Sequence, residues 1–100
     1  MILISGVIEL APKDIEPMKA AAADMAVATR QENGCQTYAF YQDIENPAVF
    51  RVFEEWESGD ALKAHFQAPH MGTFRQAMAN ATFVRRELTK YDIAGSEPLG

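Results

Sequence analysis

Glu54, Glu55, Trp56, Glu57 and His65 form the densest group of potentially reactive side chains in this sequence. An imidazole titrates near neutrality, and one held at the mouth of an apolar pocket can accept a phenolic proton, so His65 is the candidate general base. Trp56 would add a wall for a flat ring and an indole N–H for a developing oxyanion. Each residue has a plainer reading: His65 as a helix histidine hydrogen-bonded to Glu54 or Glu55, Trp56 as core. Glu54 and Glu55 are adjacent in an extended segment and point to opposite faces, so at most one meets a pocket; Glu54 is the binding candidate. Tyr38 and Tyr41 stand on opposite faces of another strand, where either phenol could hydrogen-bond a substrate oxygen. His70 follows Pro69 in a break between helical segments, free to gate a pocket or cap a helix end. Phe83, like Phe40 and Phe50, reads first as sheet packing and is kept as a candidate lining residue. His65 and His70 make a poor metal site, being five apart with a proline between, without i, i+4 spacing or a convincing third ligand.

These side chains depend on a change of hydrophobic period within Val49 to Phe66, VFRVFEEWESGDALKAHF. From Val49 to Trp56, Val49 and Phe53 fall on one face and Phe50, Val52 and Trp56 on the other, which predicts a strand covered on both sides. Ser58 can cap a helix, and Ala61, Leu62, His65 and Phe66 return at helical spacing. Upstream, Ile2 to Leu10 predicts a strand with Ile2, Ile4 and Ile8 opposite Leu3, Ser5 and Val7. Lys13 to Gln31 predicts a helix, beginning properly near Ile15 or Glu16, with a stripe of Ile15, Met18, Ala22, Met25 and Thr29 and with Ala21, Val27 and Ala28 alongside. Glu32-Asn33-Gly34 stops it, the glycine suiting a left-handed position. Cys35 to Gln42 predicts a strand with Tyr38 and Phe40 on one face and Cys35, Thr37, Ala39 and Tyr41 on the other, and Asp43 to Pro47 a hairpin loop. After the interruption at Ala68-Pro69-His70, Met71 to Asn80 predicts a helix. Ala81 to Tyr91 predicts a last strand, with Phe83 opposite Val84 and Leu88. Residues 1–94 thus form one domain, and 95–100 a polar tail, mobile or draped over a partner.

The order strand, helix, strand, strand, helix, strand is the split βαβ arrangement of the α+β class: a four-stranded antiparallel sheet with helices on one face. In 100 residues with 48% hydrophobic content, the other face is apolar with no local element left to cover it, which predicts a homodimer. A net charge of −5 with scattered basic residues excludes a nucleic-acid surface. The lone Cys35 excludes an internal disulfide and a cysteine-based zinc site. No apolar run is long enough to span a bilayer, and Met1 to Leu10 lacks the features of a signal peptide, so the expected location is the cytoplasm.

Taken together, Glu32-Asn33-Gly34-Cys35, Tyr38, Asn46-Pro47, Phe53-Glu54-Glu55-Trp56, Ala61-Leu62-Lys63-Ala64-His65-Phe66 and Pro69-His70 resemble the antibiotic biosynthesis monooxygenase family, especially its small quinol-monooxygenase-like members. The resemblance implies a dimeric ferredoxin-like α/β barrel with one pocket per subunit between sheet and helices. It also implies oxidation of a small aromatic phenol or quinol by molecular oxygen without metal, flavin or haem, and gives His65 the place of the family's helix histidine. Haem-degrading relatives pair an asparagine on the first strand with a histidine on the second helical segment. Here those regions hold Ser5 and Gly6, and Phe74 and Arg75, so haem breakdown is not expected. The competing readings are a non-catalytic small-molecule-binding or stress-response protein of the same fold, and an isomerase of a small metabolite.

Overall fold

In a computed structural model describing residues 1–100, the chain runs β1 (Ile2–Leu10), a 3-10 turn (Pro12–Asp14), α1 (Ile15–Thr29), β2 (Cys35–Gln42), β3 (Val49–Trp56), α2 (Gly59–Phe66), α3 (Pro69–Ala79) and β4 (Phe83–Asp92). The strands form one sheet in the order β2-β3-β1-β4, every neighbouring pair antiparallel. β3 sits between β1 and β2, which α1 connects, giving the expected ferredoxin-like α+β fold.

Alternation decides which face is covered. Along β1, Ile2, Ile4, Gly6, Ile8 and Leu10 are buried while the alternate residues are only half-buried, and along β3 Phe50, Val52, Glu54 and Trp56 are buried while the residues between them are half-buried or, at Arg51, exposed. Against this face α1 lays Met18, Ala22, Met25, Ala26 and Thr29, α2 lays Leu62 and His65, and α3 lays Phe74. The predicted stripe of α1 holds except at Val27, which is exposed, Ala26 taking the inward position beside Met25. The helix starts at Ile15 because the Pro12 turn precedes it; the carboxylate of Asp14 accepts the Thr82 N–H at 2.9 Å and so ties that turn to the start of β4. Ser58 caps α2, its hydroxyl accepting the Ala61 N–H at 3.1 Å. α3 begins at Pro69, two residues ahead of Met71. Proline suits the first turn of a helix, where its missing N–H has no partner to lose, and His70 accordingly lies on that turn and not in a break.

Two register shifts correct the predicted faces. Cys35 pairs with Trp56 while Thr37 pairs with Glu55, so two steps on β2 match one on β3 and the extra residue turns Cys35 onto the helix-covered face, with Tyr38. Likewise Leu10 pairs with Phe83 but Glu9 with Arg85, so Phe83 shares its face with Leu88 and does not oppose it. The helix-free face presents Leu3, Val7, Ala39, Val49 and Phe53 half-buried and Tyr41 and Tyr91 exposed. Residues 93–100 form no helix or strand, although Ile93 donates its N–H to the Met1 carbonyl at 2.9 Å. No helix is long and apolar enough to cross a membrane.

Candidate active site

A cavity of about 510 Å³ opens between the sheet and the two short helices. The antiparallel register sets its floor as rows of inward positions: Tyr38, Glu54, Ile4 and Lys90 in one row, Phe40, Val52, Gly6 and Leu88 in the next, Ile8 and Arg86 in a third. His65 and Lys63 of α2, with Phe74 and Met78 of α3, close over these rows. Gly6 has no side chain because none fits: a Cβ there would meet the Glu87 carbonyl at 2.5 Å and the Leu88 backbone at 2.6 Å.

His65 is 1% exposed, its ring 4.8 Å from that of Trp56 and 5.5 Å from that of Tyr38. Its Nδ1 lies 2.8 Å from Oε2 of Glu32, and Nε2 of His70 lies 2.6 Å from the same oxygen. A carboxylate has no proton to give, so His65 presents Nδ1–H and His70 presents Nε2–H. That fixes the His65 tautomer: in the neutral ring Nε2 keeps its lone pair, has no protein partner, and belongs to a ring that lines the cavity. This is the geometry of a base oriented by a carboxylate. The partner is neither Glu54 nor Glu55, the two the sequence suggested, but Glu32 from the turn after α1. His70 stands outside the cavity lining and holds Glu32 from the other side.

Glu54 faces the cavity, and its Oε1 accepts the Trp56 indole N–H at 2.9 Å. Burial pushes its carboxyl above the ordinary glutamate range, the Trp56 hydrogen bond works against that, and the Glu32 charge adds to it. Burial, reinforced by the Glu54 charge, also pushes the Tyr38 phenol far above its ordinary range, which keeps it a neutral donor. The Cys35 thiol is raised as well, by burial and then by Glu32 and Glu54. Glu55 points the other way and accepts the Thr37 hydroxyl at 2.6 Å.

Of the residues singled out in the sequence, His65, Tyr38 and Glu54 meet in the cavity. Trp56 is fully buried beneath His65 and braces it without lining the space. Tyr41 is 56% exposed on the helix-free face, because its position on β2 has the parity opposite to that of Tyr38. Phe83 packs on the edge of the core, with the Arg86 guanidinium 5.4 Å above its ring, and does not line the cavity. Glu32 is the residue that sequence reasoning missed as chemistry: the sequence marks it as part of a helix stop and of the family resemblance, with no role at the site. It supplies the third group missing from the pair His65 and His70, with the three nearest ligand atoms within 4.8 Å of one another. Its two contacts, at 2.8 and 2.6 Å, are shorter than the roughly 3.3 Å that tetrahedral zinc at 2.0–2.1 Å would impose, so the cluster is spaced for hydrogen bonds.

The sequence profile of the antibiotic biosynthesis monooxygenases matches residues 1–77. The chain belongs to that family. It is 31% identical over 98 residues to an uncharacterized protein of Synechocystis, a match spanning 98% of this chain and 67% of that protein. Among solved structures, a candidate antibiotic biosynthesis monooxygenase from Deinococcus radiodurans superposes with a TM-score of 0.91 at 22% identity, covering 100% of this chain and 99% of its own. A second such candidate, from Nitrosomonas europaea, gives 0.87 at 19% identity, covering 95% and 100%. At these identities the structures establish the fold. Family membership covers β1 through most of α3, and hence Glu32, Glu54 and His65; β4, with Arg86 and Lys90, lies beyond the matched residues.

Proposed function

We propose that the protein is a cofactor-independent monooxygenase that oxidises a small aromatic phenol or quinol with molecular oxygen, using His65 as the base. The supporting observation is the hydrogen bond between half-buried Glu32 and buried His65, which leaves an imidazole nitrogen with an open lone pair at a largely apolar cavity. His65 Nε2 takes the phenolic proton, and Glu32 stabilises the imidazolium that results. The substrate anion is then the reductant: one oxygen atom is added to the ring, the other leaves as water, and all the electrons come from the substrate. Tyr38, kept neutral by burial, stands where it can donate a hydrogen bond to an oxygen atom gaining charge, and Glu54 beside it is held in place by the Trp56 indole. Trp56 holds the imidazole plane.

The working unit in this reading is a homodimer in the cytoplasm, closed across the helix-free face through Leu3, Val7, Ala39, Val49 and Phe53, which no helix covers. Phe53→Glu should convert it to a monomer in sedimentation velocity.

An oxygen electrode with a panel of naphthalene and anthracene quinols tests the activity. Oxygen uptake by the wild type that His65→Ala abolishes is the expected result. Binding of the panel without uptake would replace the monooxygenase with a small-molecule-binding protein, and turnover without oxygen consumption would replace it with an isomerase.

A further inference from the structure

The nine lysines and arginines divide cleanly. Six are engaged within the chain: Lys13 with Asp14, Lys19 with Glu16, Arg85 with Glu9, Arg51 with the Ser5 hydroxyl, and Arg30 and Arg75 with the carbonyls of Tyr38 and Phe66. The other three, Lys63, Arg86 and Lys90, make no hydrogen bond or ion pair, and all three line the cavity. In a chain with a net charge of −5, these three cations, exposed at the rim of the cavity and without a polar partner in the protein, make its mouth a positive patch on an acidic protein. The only acid lining that cavity is Glu54, whose ionisation burial opposes.

We infer that the substrate carries an anionic substituent, a carboxylate, held by Arg86 and Lys90 of β4 with Lys63 of α2 opposite. The inference rests on the phenol-oxidising reading of the same cavity and narrows its substrate class. The sheet register supplies the ruler. Glu54 and Lys90 flank Ile4 in one row, and so stand two strand spacings apart, about 10 Å. Between the His65–Glu54 end and β4 the floor is the apolar pair Ile4 and Gly6. On β4 itself Leu88 separates Arg86 from Lys90, which stand four residues, about 13 Å, apart along the strand, a span two long side chains can bridge toward one carboxylate. A fused bicyclic aromatic lies along that floor with its hydroxyl at His65 and its carboxylate at the far end. Arg86 is the anchor: its guanidinium is steadied over the Phe83 ring and keeps its planar fork free for a bidentate contact.

Equilibrium dialysis of 2-naphthoate against its neutral counterpart 2-naphthamide tests this without turnover. The wild type should bind the carboxylate at least tenfold more tightly at low ionic strength, and the preference should shrink as salt is added. Arg86→Gln and Lys90→Gln should weaken naphthoate by about five- to tenfold each and leave naphthamide unchanged. Arg85→Gln, its neighbour on the opposite face, should alter neither. Equal affinities, no measurable naphthoate binding, or variants that weaken both ligands alike would overturn the inference. The oxidation reading fails separately: a naphthoate preference without oxygen uptake from any hydroxynaphthoate or quinol keeps the anion site and removes the monooxygenase. Equal kcat/KM for carboxylated and neutral quinols does the reverse.

Discussion

Beneath α2 the cavity wall is fixed by pairing: Glu54 by the Trp56 indole, His65 by Glu32, Glu32 in turn by His70. At β4 the wall is a sheet edge whose residues are exposed for almost its whole length, and its two cavity-facing cations have no polar partner. Proton transfer needs an atom held within a few tenths of an ångström, which only packing and hydrogen bonds achieve. Capture of a charged group tolerates a longer reach and profits from side chains left uncommitted. One cavity therefore joins a rigid wall of paired groups, the one proposed for the chemistry, to a wall of unpaired cations, the one proposed for recognition; the first lies within the family-matched residues and the second beyond them.

Breaking the rigid wall should have the largest effect. His65→Ala should lower kcat by roughly 10²- to 10⁴-fold, the usual range for a positioned base, with little change in naphthoate affinity. Glu32→Gln should lower kcat by on the order of 10²-fold, because an amide presents a donor as readily as an acceptor and the imidazole tautomer is no longer fixed. Its signature is an altered pH–rate profile with circular dichroism unchanged. Gly6→Ala acts at the seam of the two walls, between Val52 and Leu88, and forces β4 away from its neighbour. A loss of about 1–3 kcal/mol in chemical denaturation is expected. Thr29→Val, behind the rigid wall, removes a buried hydroxyl without a partner and should add about 1 kcal/mol.

The smallest expected effect is one of pH. Glu54 has its pKa raised in the folded state, so its full contribution is present below the ordinary glutamate pKa and declines as pH rises through the folded value. Glu54→Gln, which keeps an acceptor for the Trp56 indole, should flatten that decline in urea titrations between pH 4 and neutrality. Asp14 carries the opposite sign. The Thr82 N–H, followed by Lys13, holds its carboxyl below the ordinary range, so its contribution is present at neutral pH and is lost only as pH falls below the usual aspartate pKa.

Period-2 and helical patterns, with Pro and Ser as boundaries, placed every strand and helix of the fold to within a few residues in advance. What alternation could not reveal were the two bulges, since one extra residue inverts the parity of everything beyond it and leaves no compositional trace at Cys35 or Phe83. Among the cavity-lining residues, His65 and Glu54 were candidates from residue type, whereas Tyr38 and Tyr41 stayed equal until the sheet register turned one of them inward. Glu32 was not legible as a site residue, because its reach to His65 spans 33 positions and begins in a turn, where no periodicity assigns a direction. The three uncommitted cations were invisible for a related reason: they become a group only when β4 lies beside β1 and α2 folds over both.

Gly34 enters β2 at φ +83°, so close to Ala61 that a Cβ would lie 2.6 Å from the alanine's own. The turn carrying Glu32 is therefore docked on the first part of α2, whose later turn carries His65. Spacer length between Thr29 and Cys35 thus decides whether the carboxylate meets the imidazole at all: one inserted residue would have to give up the Gly34–Ala61 contact and would part Glu32 from His65 and His70 together.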